Sequence, residues 1–248
     1  MGISYVSIEN ARLNMNTEQP GFDFDKVRTA ASTMWNKDLS KVQVEGGTKD
    51  EKTIFYTGMY HLLIHPNILQ DVNGEYPMME SLKVGHTTGN RYTVFSLWDT
   101  YRNVSTLMTL LYPERQLDII RTMLDMYREN GWLPKWELYG RETFTMEGDP
   151  SIPYIVDAWM RGLRDFDEQT AYEAMRKGAT TPGEFNLLRP DANDYFSKGY
   201  VPLREQYDNS VSHALEYYIA DFALSRFADA LGKKKDAEMF YKRCLLYT

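Results

Sequence analysis

A chain of 248 residues holds one large domain or one and a half. Its 43% hydrophobic and 25% charged content is ordinary for a soluble globular protein, while 14% aromatic content, with 18 Tyr and 5 Trp, is high. A formal net charge of -7 argues against nucleic acid, whose phosphates need a basic stripe, and no Lys/Arg run or long apolar run suits a membrane.

Cys244 is the sole cysteine, which excludes a disulfide framework and leaves it as a small apolar residue of the last helix. The opening MGISYVS lacks a basic start and an apolar h-region, so no signal peptide is expected there. Residues 3–8, ISYVSI, alternate apolar and polar and predict a strand. A lone strand is not stable, so its partners are expected in distant segments or outside this chain. Helical spacing follows over 25–37, with Val27, Ala30, Ala31 and Met34 on one face. Residues 42–44 read as a short extended piece, closed by Gly46 and Gly47.

Thr48 and Glu51 fit a capping box that opens a helix to residue 64. Pro66 ends it, because the residue before proline avoids the α region. Residues 67–90 read as a long loop, and loops of such length inside a domain are usually functional or disordered. Residues 92–103 are expected to begin a helix continuing to 111. Pro113 then suits the start of another, with Leu117, Ile120, Met123, Leu124 and Tyr127 as its buried stripe. Asp118, Arg121, Asp125 and Arg128 alternate in sign on the outer face, and Asn130-Gly131 is a stop signal. Ile152, Ile155, Val156, Trp159, Met160 and Leu163 mark the next helix, and 166–177 a short partner. Residues 179–207 read as a second long loop. Asn209 or Ser210 caps a helix to 231, with Val211, Ala214, Leu215, Tyr218, Ile219 and Phe222 inward; Gly232 breaks it and 235–246 forms a further helix. Short turns alternating with long loops predict a mainly α chain, a toroid of helical hairpins whose long loops gather into a cleft. Neither βαβ alternation nor a glycine-rich phosphate loop is present.

The stretch 131–150, GWLPKWELYGRETFTMEGDP, carries the chemistry. Trp132, Trp136, Tyr139 and Phe144 supply flat apolar faces, Glu137, Arg141, Glu142 and Glu147 supply charge, and Gly131, Gly140 and Gly148 allow positive φ. Aromatic planes for C–H faces and charged groups for hydroxyls are what a sugar site needs. Singly, each of these residues reads equally as a helix plug or a solvated charge; together they read as a site. FSLWDTYRN, residues 95–103, groups Trp98, Asp99 and Arg102. Asp99 and Arg102 share a helix face and form either a local ion pair or a carboxylate held beside an indole to grip hydroxyls. His61 and His65 have metal spacing but lack a metalloprotease glutamate, so capping or core roles are expected. His213 is positioned to hydrogen-bond a carboxylate or a ligand. Asp71-Val72-Asn73-Gly74-Glu75 is a fragment of a calcium loop without its terminal Glu, weak as an isolated site and plausible as part of a loop-lined cleft. No G-x-S-x-G elbow occurs, which leaves carboxylates as the natural acid–base groups of an enzyme.

Five stretches, GISYVSIENARLN, TIFYTGMYHLLIHPN with DVNGEY, FSLWDTYRN, GWLPKWELYGRETFTMEGDP and DNSVSHALEYYIADFAL, together resemble glycoside hydrolase family 92, the calcium-dependent exo-acting α-mannosidases. The resemblance spans nearly the whole chain. It implies part of an (α/α)6 toroid catalytic domain, preceded by a β-sandwich. Residues 1–22 would be the sandwich remnant with its last strand, 23–47 the linker helix and short strand, and 48–248 the N-terminal part of the toroid. It implies inverting hydrolysis of terminal α-mannosidic linkages in glycans, assisted by calcium whose ligands lie mostly outside this chain. The family's general acid, in a Glu-Gly-Asn motif, and its base, in a Gly-Asn-acidic-Asp motif, do not occur here; neither does its Gly-Asn-Glu-Pro segment. The chain is therefore expected to be an internal piece without catalytic residues, inactive alone, whose partners are the rest of the catalytic domain and the sandwich. Trp98, Asp99, Arg102, Trp136, Glu137, Arg141 and Glu142 are its expected sugar-binding residues, Glu137 and Glu142 positioning substrate rather than transferring protons. Export to a periplasm, a cell surface or the exterior is expected of the full-length protein. A non-catalytic glycan-binding helical module and a purely structural helical array are the alternatives.

Overall fold

The structure is a computed structural model and describes residues 1–203 and 209–244. The end of the expected second loop with Asp208 of the DNSVSHAL stretch, and the end of the expected last helix, lie outside the described residues. The chain forms two compact units, Met1–Pro77 with Leu82–Thr93, and Met78–Ser81 with the chain from Val94 onward.

In the first unit the expected strand at 3–8 does not form. Ser4 Oγ accepts the N–H groups of Val6 and Ser7, and Ser7 caps helix α1, Ile8–Glu18, by accepting from Asn10 N at 3.0 Å. These local side-chain bonds take the donors a strand would offer to a neighbour. Helix α2, Phe24–Leu39, meets the expectation for 25–37, capped by Asp23. Its expected face is not the packed one: Val27 and Met34 are exposed, and Trp35 instead meets Tyr60, ring centroids 4.5 Å apart. Tyr60 lies on α3, Lys49–Leu62, which opens with the predicted reciprocal box: Thr48 Oγ1 accepts Glu51 N and Glu51 accepts Thr48 N. Residues 42–44 form no strand.

The expected long loop at 67–90 is largely two short antiparallel pairs. β1, Asn67–Ile68, pairs with β4, Tyr92–Thr93, and β2, Glu75–Pro77, pairs with β3, Val84–His86. The polar residues of this stretch hid the pairing, and buried Asp71 organises it. Its carboxylate accepts from Ser4 Oγ, Asn10 Nδ2 and Asn14 Nδ2 at 2.7, 2.8 and 2.6 Å. Gly74 closes the turn that leads into β2, its N–H donating to Asp71 O at 2.8 Å, with φ +86° and a site where a Cβ would stand 2.3 Å from the Thr87 carbonyl oxygen.

The second unit is helical. α4, Leu97–Thr100, and α5, Val104–Leu111, replace the single helix expected there, because Asn103 (φ −144°) breaks it. α6, Pro113–Asn130, has the predicted proline start and left-handed Gly131 stop. Its outer ladder is paired as expected, Arg121 with Asp118 and Arg128 with Asp125. After the hairpin strands β5, Glu137–Leu138, and β6, Arg141–Glu142, come α7, Ser151–Met160, and α8, Glu168–Thr180. The second expected loop holds a 3-10 turn at Gly183–Phe185 and α9, Ala192–Lys198. α10, Ser210–Ala230, packs against α7, α8 and α11, Lys234–Cys244. Ile119, Ile120, Ile155, Met175, Leu224 and Phe227 fill the core, with Trp159 edge-on to Phe227 at 5.0 Å.

The inward face of α10 is also corrected. Ala214 and Tyr218 are buried as expected, but Val211, Leu215, Ile219 and Phe222 are exposed, and Tyr217, Asp221 and Leu224 are buried. An apolar stripe cannot choose a side on a helix that is apolar nearly all round. An ion cluster chooses it: Arg189, 0% exposed, donates to Asp221 at 2.9 Å and to Asp149 at 3.2 Å. Tyr195 Oη and Arg243 close on the same Asp221 carboxylate. Burial opposes the charge of Arg189, but the two aspartates outweigh it and raise its pKa. Burial raises the Asp149 carboxyl, with Arg189 pulling the other way.

Candidate functional site

Backbone bonds bring the two aromatic motifs together. Phe95 N donates to Glu137 O at 2.9 Å, and Leu97 N to Lys135 O at 3.4 Å. Trp98 and Asp99 therefore follow directly on a segment, 95–97, that is bonded to the residues on either side of Trp136. Residues 78–81 brace the other side, with Glu80 N donating to Gly140 O at 2.8 Å and Glu80 accepting Glu142 N at 2.6 Å.

Strain concentrates at the same place. The non-glycine residues with positive φ among those described are Glu80 (50°), Val94 (66°), Tyr139 (50°), Phe144 (53°) and Met146 (66°). All belong to the hairpin segment or to the two segments bonded to it. Such positions cost about 1–3 kcal/mol each and persist where the surroundings over-determine them, typically at sites. For β-branched Val94 the conformation is a true outlier.

The fixing groups are the acids. Glu137, 0% exposed, accepts Gly140 N at 2.6 Å and Val94 N at 3.1 Å. Glu142 accepts Lys135 N, Trp136 N and Phe144 N at 2.7, 2.8 and 2.9 Å. Both carboxylates thus hold strained backbone. Arg141 is exposed and pairs with Glu80 at 3.1 Å. Buried Lys135 donates to the Leu188 carbonyl at 3.2 Å; burial lowers its pKa, with Asp149 opposing. Lys177 donates to Gly131 O at 2.7 Å and lies 4.4 Å from the Trp132 ring centroid, which makes Trp132 a helix-end cover.

Asp99 and Arg102 do not pair. Ser96 Oγ donates to exposed Asp99. Arg102 instead reaches Glu216 of α10 at 2.5 Å, and its guanidinium lies 4.9 Å from the Trp98 ring centroid and 4.7 Å from that of Tyr101. Tyr101 Oη donates to the other Glu216 oxygen at 2.7 Å; burial first, then this carboxylate, pushes its pKa above the ordinary tyrosine range. Sequence reasoning missed Glu216, although an acid in the mostly apolar run HALEYYIADFAL was a usable signal. The indole N–H groups of Trp98 and Trp136 are buried and have no partner. Buried polar groups are nearly always paired, so two unpartnered indole N–H groups beside one strained hairpin are exceptions that ask for an explanation.

The other sequence candidates lie elsewhere. His65 Nδ1 is 3.2 Å from Asn67 Oδ1, and the His61 ring lies tilted against that of Tyr60, centroids 5.8 Å apart. The Asp71 carboxylate of the DVNGE stretch is held by Ser4, Asn10 and Asn14. His213 Nδ1 is 3.9 Å from Asp191, beyond hydrogen-bond reach. Among the described residues no group of three or more His, Cys, Asp or Glu could hold a metal, and no helix is long and apolar enough to cross a membrane.

Comparison with known proteins points one way. The sequence profile of the Glycosyl hydrolase family 92 catalytic domain matches residues 10–248. A family GH92 α-mannosidase of Bacteroides thetaiotaomicron, BT3965, is 34% identical with a TM-score of 0.88 over 98% of this chain and 32% of its own. The family GH92 inverting mannosidase BT2199 of the same species is 31% identical with a TM-score of 0.90, over 98% of this chain and 33% of its own. A protein of Arthroderma benhamiae described as an uncharacterized secreted glycosidase is 27% identical over 98% of this chain and 29% of its own length. The chain thus spans about a third of the length of these relatives.

Proposed function

This chain belongs to glycosyl hydrolase family 92, and from that premise we propose that it supplies the mannose-gripping part of an exo-acting, inverting α-mannosidase. The observation that carries the reading is the pair of unpartnered indole N–H groups, Trp98 and Trp136, on segments bonded to each other and held in strained backbone. Sugar hydroxyls are acceptors of the right kind, and the indole faces suit C–H surfaces of the ring. Asp99, exposed beside Trp98, would accept from a hydroxyl. Arg141, exposed at the hairpin, would donate to one. Glu137 and Glu142 act one step back: their carboxylates hold the backbone that aims the tryptophans.

Inversion needs two carboxyl groups about 6.5–9.5 Å apart with a water between them. Glu137 and Glu142 are engaged by backbone N–H groups and do not fill that role, so the acid and base are proposed to lie outside this chain. What these residues contribute is binding that can be tightened as the sugar ring distorts. Among the described residues no group of three or more His, Cys, Asp or Glu gathers around a point where calcium could be held. Calcium is proposed only for ligands outside them, where it would favour the distorted ring, and nothing in the reading passes through it. Partners under the same reading are a mannose-bearing glycan, the remaining toroid and a β-sandwich, in an exported protein.

Calorimetric titration with mannose tests it. Wild-type chain is expected to bind, Trp98→Ala and Trp136→Ala each to lose about tenfold or more in affinity, and the chain alone to leave aryl mannosides uncut. Unaltered affinity in both variants would sink the assignment.

A further inference from the structure

We propose that Glu216 is a positioning residue for Trp98, acting through Arg102; this rests on the sugar-binding reading above only for what Trp98 then holds. Arg102 is a long side chain, 43% exposed, that would otherwise sample many rotamers. Glu216 removes that freedom. Its own side chain is 9% exposed, one carboxylate oxygen is fixed by Tyr101 Oη at 2.7 Å, and the other takes Arg102 Nη2 at 2.5 Å. The backbone beneath it is equally tight: a Cβ on Gly148 would stand 2.4 Å from Glu216 Cβ. A carboxylate so held can set the guanidinium plane, which then lies 4.9 Å from the Trp98 ring centroid. One face of the indole is thereby covered by a cation, and a sugar must stack on the other.

The arrangement has an electrostatic side as well. Glu216 balances the Arg102 charge, so the indole platform offers no net positive charge. It therefore suits a neutral ring rather than an anionic one. α10, which carries Glu216, is in this way linked to a tryptophan more than a hundred positions earlier in the chain, through one ion pair and one cation–π contact. No hydrogen bond from Glu216 to a ligand is required.

The test is spectroscopic first. Glu216→Gln and Arg102→Met are each expected to change tryptophan emission by the same Trp98-dependent amount, the double variant adding nothing further. In a Trp98→Phe background neither substitution should change the emission. An equal change in that background would show a general disturbance of the fold and overturn the proposal, as would no change in either single variant. Should Glu216→Gln lose its far-UV circular dichroism, Arg102→Met decides alone, with loss of the Trp98 signal supporting and its persistence refuting. In calorimetry Glu216→Gln should weaken mannose roughly two- to fivefold, the scale of one cation–π contact. If Trp98→Ala leaves mannose affinity intact, the sugar reading falls, and the emission cycle still judges Glu216.

Discussion

Glu137→Gln removes a charge while keeping the shape, and its cost follows from two of the bonds the carboxylate accepts. Gly140 N and Val94 N both donate to it, at 2.6 and 3.1 Å, in a fully buried setting. Glutamine has one acceptor oxygen and turns an NH2 toward the second donor. One charge-assisted bond becomes neutral, and one buried N–H is orphaned against another donor. Together these cost about 2–4 kcal/mol. At about 2–4 °C per kcal/mol for a chain of this size, the melting temperature should fall by roughly 4–16 °C. Val94 and Tyr139, released from φ 66° and 50°, should relax, and mannose affinity should fall with them. Thermal melts followed at the tryptophan band supply the measurement. Arg141→Ala is the reference, since its half-exposed pair with Glu80 is worth less than about 1 kcal/mol. A Glu137→Gln melt indistinguishable from that reference would refute the reasoning.

Two further outcomes follow from other parts of the second unit. Asp221→Ala leaves Arg189 fully buried with only Asp149 opposite it, and should destabilise the chain by about 3–5 kcal/mol in urea melts; a loss below about 1 kcal/mol would contradict the ion-cluster account. Burial, and next the hydrogen bond to Asp236, push the Tyr172 phenol up from 10.0 to about 12. The folded chain keeps that proton where the unfolded chain has lost it, so the stabilisation is complete below the ordinary value and fades as pH rises through about 12. Tyr172→Phe should flatten the decline of stability across that alkaline window, and an unchanged slope would count against it.

Much of the helical frame was legible because its signals are local. Thr48 and Glu51, Pro113, Gly131 and Gly232 mark ends through bonds and dihedrals within a few residues. The errors arose where a distant partner decides. Residues 3–8 alternate like a strand, yet Ser4 and Ser7 bind local N–H groups and Ser4 donates to Asp71, 67 positions away. The pairing of 67–68 with 92–93 crosses a polar stretch without periodicity. The buried side of α10 is set by Arg189 and Arg243, which its own apolar pattern cannot reveal. At the proposed site, residue type picked out the stretch but not the bonds its side chains make. Glu137 and Glu142 looked like ligand groups and bind backbone; Arg102 looked like a partner for Asp99 and meets Glu216. Spacing in sequence favours a nearby ion pair, and only the fold presents the more buried carboxylate.

The most direct measurement follows the indole N–H resonances of the nitrogen-15 labelled chain while mannose is added, with Trp98→Phe and Trp136→Phe for assignment. Trp159 is the internal control, because its Nε1 already donates to Glu168 at 2.6 Å. The Trp98 and Trp136 signals are expected to move together, saturating with one affinity, while Trp159 stays still. Stationary Trp98 and Trp136 signals at saturating mannose would contradict the mannose-binding reading.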